Sequence, residues 1–130
     1  DFGTGTGILA VAALKLGARR AVGVDIDPRA IKAARQNAEL NEVDIELHLG
    51  DLDMVDETGF DLVLANIYAD VLLGCVDQLL ARTASGGSIL MSGVPWEYDF
   101  DVQLCYERAN CTLLRKHILP DYMTLVWRSP

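Results

Sequence analysis

The stretch Asp1–Asp27, DFGTGTGILAVAALKLGARRAVGVDID, determines how the rest of the chain is organised. It indicates the end of a strand, a glycine-rich turn, a helix and a second strand that closes on acidic residues. Gly3, Gly5 and Gly7 allow a sharp turn and a close approach of a ligand to the backbone, because no Cβ stands in the way. Asp25 follows the turn by about twenty residues, at a strand end where its carboxylate can accept hydrogen bonds from two ribose hydroxyls. The stretch therefore predicts half of a nucleoside-cofactor site.

Two details of the turn distinguish a methyl donor from a dinucleotide. A dinucleotide fingerprint has the pattern G-x-G-x-x-G, but Ile8 occupies the third glycine position counted from Gly3. Asp1 places a carboxylate beside the turn, where it would repel a pyrophosphate and attract an ammonium group. S-adenosylmethionine has a ribose, an amino group and a sulfonium, but no phosphate. The spacing therefore favours S-adenosylmethionine over NAD, and a plain strand-to-helix connection is the alternative for the turn taken alone.

The composition is that of one α/β domain. The chain has 130 residues, of which 51% are hydrophobic and 23% charged, so we expect a single domain over residues 1–130 with a substantial core. It begins inside a predicted strand, so we expect upstream residues that are missing here.

The net charge of −8 argues against nucleic acid and suits a basic protein partner, although a solubilising surface also explains it. No apolar run has the length of a membrane span, so we expect no membrane association. Cys75, Cys105 and Cys111 lack metal-ligand spacing, which favours reduced thiols in a cytoplasmic protein.

Hydrophobic periodicity predicts that helices and strands alternate. The predicted helices are Ile8–Leu16, which we expect to be buried, Pro28 to about Asn41 with Asp27 as N-cap, Val71–Leu80 and Asp99–Ala109. The predicted strands are Ala21–Val24, Asp44–Leu49, Phe60–Ala65, Ser88–Gly93 after a turn at Ser85–Gly87, and a hairpin of Cys111–Leu119 with Tyr122–Arg128. The inward stripe of the second helix is assigned to Ile31, Ala34, Ala38 and Leu40. The alternation predicts an α/β, Rossmann-like, doubly wound and mostly parallel sheet. We expect it to be seven-stranded, with a truncated first strand and a C-terminal antiparallel hairpin.

The ends of the predicted strands carry the candidate ligand-binding residues. Ligands of doubly wound sheets bind beyond the carboxyl ends of the strands, near the point where the strand order reverses. The residues at those ends are Asp1–Gly5, Asp25, Gly50–Asp51, Asn66 and Gly93–Trp96. We expect them to lie together, because each of them ends a strand.

Four segments resemble the class I methyltransferases, namely DFGTGTGILAVAALKLGA, GVDIDPRAIKAARQNAELN, DLVLANIYADVL and GGSILMSGV. The ANI segment and the later SGV resemble, within that class, the bacterial methyltransferases of ribosomal protein L-eleven. The resemblance extends over nearly all of the chain. It implies an enzyme that transfers a methyl group from S-adenosylmethionine to amino groups of a protein substrate, with a ribosomal protein as the expected partner. The separate upstream substrate-recognition domain of that family has no counterpart among these residues.

The resemblance also implies roles in cofactor binding. Asp1, Gly3, Thr4 and Gly5 form the turn, and Asp25 is the expected ribose ligand, while the neighbouring Asp27 is expected only to cap a helix. Asp51 stands where the superfamily places a polar residue near adenine N6, and a solvated loop carboxylate is the alternative. Ile26 and Leu52 are candidates to sandwich the adenine, or ordinary core residues.

Asn66 is the candidate catalytic residue. Ala65-Asn66-Ile67-Tyr68 stands where amino-methylating relatives have an Asn- or Asp-Pro-Pro-aromatic motif, whose polar groups orient the amine towards the methyl carbon. We also count Asn66 among the cofactor-binding residues. No prolines follow it, so a strand-end asparagine that caps the next helix is the alternative. Trp96 and Tyr98 are candidates to wall a substrate channel, or exposed loop aromatics.

We therefore predict an S-adenosylmethionine-dependent N-methyltransferase that works mainly by orienting two reactants in line. Two alternatives are a methyltransferase-fold binding module without turnover, and a methyltransferase for another protein or a small-molecule amine. A dehydrogenase-type nucleotide fold is a further alternative, which the missing third glycine opposes. The sequence has no Ser/His/Asp set and no metal-ligand pattern, so hydrolysis and zinc chemistry have no support, and His48 and His117 have no expected partner.

Overall fold

The structure, a computed structural model, describes residues 1–130 as two compact units, Asp1–Asp56 and Glu57–Pro130. Each unit contains helices and strands in alternation, as the periodicity predicts. The assignment of residues 1–130 to one domain stays a prediction.

The first unit contains two helices and two parallel strands. They are α1 (Ile8–Lys15), β1 (Val22–Asp25), α2 (Pro28–Leu40) and β2 (Glu46–Leu49), followed by a 3-10 helix at Leu52–Met54. β1 and β2 pair in register from Val22↔Glu46 to Asp25↔Leu49. Phe2 forms a parallel bridge with Val24, so the residues before the turn pair with β1 as a strand end does. The predicted order of strand end, turn, helix and strand is confirmed.

The entry into α1 requires a glycine. Gly7 precedes the helix with a φ of 77°, a backbone region that residues with a Cβ rarely adopt. A Cβ on Gly7 would lie 3.0 Å from Ala34 Cβ and 3.1 Å from Ala34 Cα, so its absence lets α1 approach α2 closely. Only Ala10 and Val11 of α1 are buried. The expectation of a buried helix over Ile8–Leu16 holds only in part, because α1 packs through one narrow stripe and leaves Ile8 exposed.

α2 follows the predicted pattern except at its last residue. Asp27 is its N-cap, with Oδ1 accepting a hydrogen bond from Arg29 N at 2.8 Å, and Pro28 is the first helical residue. Ile31, Ala34 and Ala38 are buried. Leu40 is 81% exposed, so its assignment to the inward stripe was wrong. Two residues beyond Ala38, it is rotated by about 200° around the helix axis, away from the buried face.

The second unit is a mixed four-stranded sheet with three helices. Its elements are β3 (Phe60–Ala65), α3 (Ala69–Gly74), α4 (Val76–Arg82), β4 (Thr83–Pro95), a 3-10 helix (Trp96–Tyr98), α5 (Asp99–Arg108), β5 (Thr112–Ile118) and β6 (Tyr122–Arg128). The strand order is β3-β4-β6-β5, and only the β3–β4 pair is parallel. The C-terminal antiparallel hairpin is confirmed. The two sheets together contain two parallel and two antiparallel strand pairs, so the pairing is mixed rather than mostly parallel, and the seven-stranded count stays a prediction.

Two predicted boundaries in this unit differ from the structure. The helix expected over Val71–Leu80 is broken at Cys75 into α3 and α4. The turn expected at Ser85–Gly87 lies within β4, where the pairing register with β3 shifts between Phe60↔Thr83 and Leu62↔Ser88. The β4 residues between these two pairs form an irregularity within the strand, so β4 continues through the expected turn.

Large side chains fill the core of the second unit. Trp127, Tyr106, Leu72, Leu79 and Ile89 are fully buried. The rings of Tyr106 and Trp127 stack with their centroids 5.6 Å apart, and burial raises the pKa of Tyr106. The three cysteines form no disulfide. No helix in the structure combines the length and the apolar character that crossing a membrane requires.

Substitution of Gly7 by alanine is expected to lower the free energy of unfolding by about 2–5 kcal/mol. The left-handed backbone costs a residue with a Cβ about 1–2 kcal/mol, and the overpacked contact with Ala34 adds about 1–3 kcal/mol. Urea denaturation monitored by circular dichroism measures the change.

Alanine substitutions at two other glycines separate the cost of backbone strain from the cost of the overpacked contact. Gly17 also has a positive φ, 106°, but a Cβ there would meet nothing within 4 Å, so Gly17→Ala should cost about 1–2 kcal/mol from strain alone. Gly74 lies in α3 with free space around it, and Gly74→Ala should stabilise by up to about 1 kcal/mol. An equal loss of unfolding free energy in Gly7→Ala and Gly17→Ala would show that α1 does not approach α2 closely.

Candidate functional site

The glycine-rich turn is held by a carboxylate that precedes it. Asp1 Oδ2 accepts hydrogen bonds from Thr4 Oγ1 at 2.7 Å and from Ala10 N at 3.2 Å. Ala10 lies in the first turn of α1, whose N-cap residue Gly7 offers no side-chain cap. Asp1 therefore satisfies a free N–H group at the positive end of the helix dipole. The sequence predicted a carboxylate beside the turn, but not that it would cap α1.

Asp25 links the turn to the end of β1. Its Oδ2 accepts a hydrogen bond from Gly5 N at 2.8 Å, and its Oδ1 accepts one from Asp27 N at 2.9 Å. An ionised carboxylate has about four acceptor positions, so each oxygen retains capacity for a further donor such as a ribose hydroxyl. The side chain is only partly buried, which leaves that capacity accessible.

The end of β2 lies beside Asp25. Gly50 N donates to the Asp25 carbonyl oxygen at 2.9 Å, so Gly50 and Asp51 follow β2 next to the end of β1. Asp51 is exposed, and its Oδ1 accepts a hydrogen bond from Leu52 N at 2.7 Å. Ile26 is 74% exposed whereas Leu52 is 4% exposed, so Ile26 offers an apolar surface and Leu52 belongs to the core.

The first unit thus brings its predicted residues to one edge, beyond the carboxyl ends of β1 and β2. They are Asp1, Gly3, Thr4, Gly5, Asp25, Ile26, Asp51 and Leu52. Sequence reasoning missed Asn37, whose Nδ2 donates to the Thr6 carbonyl at 2.8 Å and so ties α2 to the turn. The only sequence signal for this contact is a polar residue on the turn-facing side of α2.

Asn66 follows β3 in the second unit, and its side chain is exposed. α3 begins at Ala69 with Tyr68 as its N-cap residue and no side-chain cap hydrogen bond, so the structure does not support the helix-cap alternative for Asn66. The Asn66 amide lies over Gly93, where a Cβ would come within 2.7 Å of Asn66 Oδ1. The sequence placed both residues at strand ends, but nothing in it indicated this contact.

The structure gives the positions of the two aromatic candidates of the second unit, Trp96 and Tyr98. Trp96 is half exposed, and its Nε1 donates to the Leu119 carbonyl at 3.2 Å, which fixes the indole against the β5–β6 connection. Tyr98 ends the 3-10 helix with intermediate exposure. Their role in a substrate channel stays a prediction.

Other chemistry-bearing side chains do not converge on a further site. His48 has a partner that the sequence did not predict, because its Nε2 lies 3.0 Å from Glu46 Oε1 on the same strand. The structure contains no group of three or more histidine, cysteine, aspartate or glutamate side chains placed to hold a metal ion.

The sequence model of ribosomal protein L11 methyltransferases matches residues 1–125. The chain belongs to the ribosomal protein L11 methyltransferase family. It is 48% identical to the ribosomal protein L11 methyltransferase of Thiobacillus denitrificans over 82% of this chain and 35% of that protein. It is 40% identical to that of Geobacter sulfurreducens over 99% of this chain and 43% of that protein. The chain therefore spans less than half of the length of these curated relatives of the family.

Solved structures show the same fold for this family member. The ribosomal protein L11 methylase of Lactobacillus delbrueckii subsp. bulgaricus superimposes with a TM-score of 0.93 at 34% identity, over 98% of this chain and 68% of that one. A methyltransferase from Pyrococcus furiosus superimposes with a TM-score of 0.83 at 18% identity, which supports the fold alone. The α/β, Rossmann-like fold predicted from the sequence is confirmed.

Asp27→Ala is expected to lower the melting temperature by a few degrees at neutral pH, through loss of the cap of α2 and of the pairing with Arg29. The hydrogen bond from the Arg29 side chain holds the pKa of the Asp27 carboxyl below its usual range. A depressed folded-state pKa contributes stability that is present above the unfolded pKa, about 3.9, and is lost as the pH falls through the folded-state pKa. The difference from wild type should therefore persist near neutral pH and shrink below about pH 4.

Thermal unfolding followed over this pH range measures the effect, and Asp27→Asn is the matched control. The asparagine keeps an acceptor for Arg29 N but carries no charge, so it should retain most of the cap with little dependence on pH. A destabilisation by Asp27→Ala that does not change with pH would contradict the ionic contribution.

Proposed function

We propose that this chain is the cofactor-binding and catalytic part of an S-adenosylmethionine-dependent methyltransferase that acts on amino groups of ribosomal protein L11. The observation that carries the proposal is the Asp25 carboxylate, which is bound to Gly5 N of the turn and retains acceptor capacity. Family membership supports the reaction class and the substrate. The assignment of residues 1–130 to one domain and the seven-stranded sheet belong to this proposal.

The residues at the edge of the first unit fit the chemical groups of S-adenosylmethionine. Asp25 suits the ribose hydroxyls, and the exposed side chain of Ile26 suits one face of an adenine. Asp51 is exposed next to the end of β1, where its carboxylate can accept from an exocyclic amine. The turn at Gly3–Gly5 presents backbone instead of side chains, which permits a close approach of the amino acid end of the cofactor.

Asn66 is the residue that we propose to orient the acceptor amine. When bound, S-adenosylmethionine supplies a methyl group activated by its sulfonium. The protein must then hold a neutral amine in line with that methyl group, and Asn66 Oδ1 and nearby carbonyls are suitable acceptors for the amine N–H groups. Orientation and exclusion of water account for most of the expected acceleration, so no strong general base is required. We also keep Asn66 as a proposed contact to the cofactor, close to the transferred methyl group and not to the bulk of the cofactor, so its loss should change the affinity for S-adenosylhomocysteine little.

The expected partner is a basic protein and not a nucleic acid or a membrane. With a net charge of −8, the chain repels phosphate backbones and favours cationic surfaces. The three cysteines form no disulfide, which agrees with a reducing compartment, and we propose a cytoplasmic location.

Binding of S-adenosylhomocysteine, but not of NAD, should raise the melting temperature of the protein, because only a ligand of the folded state stabilises it. Asp25→Ala should weaken S-adenosylhomocysteine binding by about 2–3 kcal/mol, or roughly thirtyfold to 150-fold, because hydrogen bonds to a charged acceptor are lost. Calorimetric titration at a temperature where the variant is folded measures this change.

Asp27→Ala is the matched control for the Asp25 variant, because it removes a carboxylate two residues away that caps α2. It should leave the affinity for S-adenosylhomocysteine unchanged. A thermal shift with NAD as large as that with S-adenosylhomocysteine would contradict the cofactor assignment. A loss of affinity at Asp27 and not at Asp25 would contradict the ribose assignment.

Asn66→Ala should separate catalysis from cofactor binding. If Asn66 orients the acceptor, the affinity for S-adenosylhomocysteine should stay within about threefold. Methyl transfer to ribosomal protein L11 should fall by roughly a hundredfold or more, because a misplaced nucleophile loses orientation that other contacts do not restore. The assay uses the intact protein and S-adenosylmethionine labelled in its methyl group.

Asn41→Ala, which removes an exposed amide at the end of α2, is the matched control and should retain turnover. Near-normal transfer by Asn66→Ala would reject its catalytic role. Cofactor binding without transfer by the wild-type protein, to L11 or to other proteins, would favour the binding-module alternative.

A further inference from the structure

β4 contains a bulge close to Asn66. The antiparallel register between β4 and β6 runs through Met91↔Leu125 and resumes at Val94↔Met123. Between these pairs, Ser92 and Gly93 of β4 lie opposite the single residue Thr124 of β6. Two residues opposite one define a β-bulge, and bulges redirect a strand locally.

Gly93 occupies this bulge with a φ of 75°, in the region that favours glycine. An ideal Cβ on Gly93 would lie 2.7 Å from Asn66 Oδ1, closer than carbon and oxygen atoms approach without a bond. The next nearest atom is Asn66 Cγ, at 3.8 Å. The space that a side chain of Gly93 would fill is therefore occupied by the amide of Asn66.

We infer that Gly93 is a positioning residue for Asn66, and that the Ser92–Gly93 bulge sets the direction of the amide towards the acceptor. This inference rests on the proposed catalytic role of Asn66. A side chain at residue 93 would push against the far end of the exposed Asn66 side chain, which can rotate away. The expected result is a displaced Asn66 amide on an intact fold. A misplacement of about 1 Å can reduce a reaction rate by about a hundredfold, so the displaced amide should impair methyl transfer.

A side-chain hydrogen bond to β6 holds the Ser92–Gly93 bulge in place. Ser92 Oγ and Thr124 Oγ1 lie 3.1 Å apart and form a hydrogen bond across β4 and β6. This bond holds the bulged pair against the one residue that it faces. Thr124→Val keeps the shape of the side chain but removes the hydroxyl, so it should loosen the bulge and reduce turnover less than a change at Gly93. Thr124→Ser should restore the hydrogen bond and the turnover.

The test compares Gly93→Ala with Gly86→Ala in the intact protein. Gly86 also lies in β4 with a φ of 72°, but a Cβ there meets nothing within 4 Å, so both variants carry the same kind of backbone strain. We expect similar melting temperatures and unchanged S-adenosylhomocysteine affinity for the two variants. The kcat for methylation of ribosomal protein L11 should fall by roughly a hundredfold in Gly93→Ala and stay within about threefold of wild type in Gly86→Ala.

A spectroscopic measurement tests the same contact without an acceptor substrate. In a ¹⁵N-labelled sample, the side-chain amide signals of Asn66 are identified by their absence in Asn66→Ala. These signals should move in Gly93→Ala and stay in place in Gly86→Ala. Unchanged Asn66 signals in Gly93→Ala would overturn the inference.

A double-mutant cycle separates this inference from the proposed function. If Gly93 acts through Asn66, Gly93→Ala should lower kcat no further in the Asn66→Ala background. A further fall in kcat in that background would overturn the role of Gly93 alone. So would equal turnover of Gly93→Ala and Gly86→Ala while Asn66→Ala is impaired. Normal turnover of Asn66→Ala would overturn both proposals.

Discussion

The hydrogen bond from Gly5 N to Asp25 Oδ2, 2.8 Å long, is the contact on which the first unit depends. It joins the glycine-rich turn to the end of β1, although the two residues are 20 positions apart in the chain. The second carboxylate oxygen accepts from Asp27 N and thereby fixes the start of α2. One carboxylate thus determines where β1 ends, where the turn lies and where the next helix begins. A ligand that adds donors to the same oxygens would bind to a site whose backbone is already in place, which reduces the conformational entropy lost on binding.

Glycines with positive φ serve two different purposes in the two units. Gly7 lets α1 and α2 approach closely, because the atoms that a Cβ would meet are the Cα and Cβ of Ala34, which cannot move without shifting a helix. Gly93 faces the end of the flexible Asn66 side chain. A substitution at the first position therefore acts on stability, whereas one at the second acts on the direction of a functional group. The same backbone requirement, left-handed φ without a side chain, permits close helix packing at Gly7, whereas at Gly93 we propose that it positions Asn66.

The sequence predicted most of the element order, because apolar periodicity and the Asp27–Pro28 helix start are local signals. It did not predict which face of α1 is buried, since an apolar helix has no polar side to mark its exposed surface. At the site, the position of Asp25 at the end of a strand followed from spacing alone. The contacts of Asn37 with the turn and of Gly93 with Asn66 join residues far apart in the chain, and no local pattern encodes them. The cofactor and acceptor roles of these residues stay predictions.

The position of β6 has a consequence for how the second unit is assembled during synthesis. β6 follows β4 and β5 in the chain but lies between them in the sheet. Met123, Leu125 and Trp127 of β6 are almost fully buried, so the last of these four strands in chain order is central to the sheet and supplies much of the core. As the polypeptide leaves the ribosome, β4 and β5 cannot complete their pairing until β6 has emerged. Until then the edge of β4 is unpaired and open to association with other chains. A stop codon before Tyr122 would make that exposure permanent, whereas loss of a peripheral strand would leave the rest of the sheet paired.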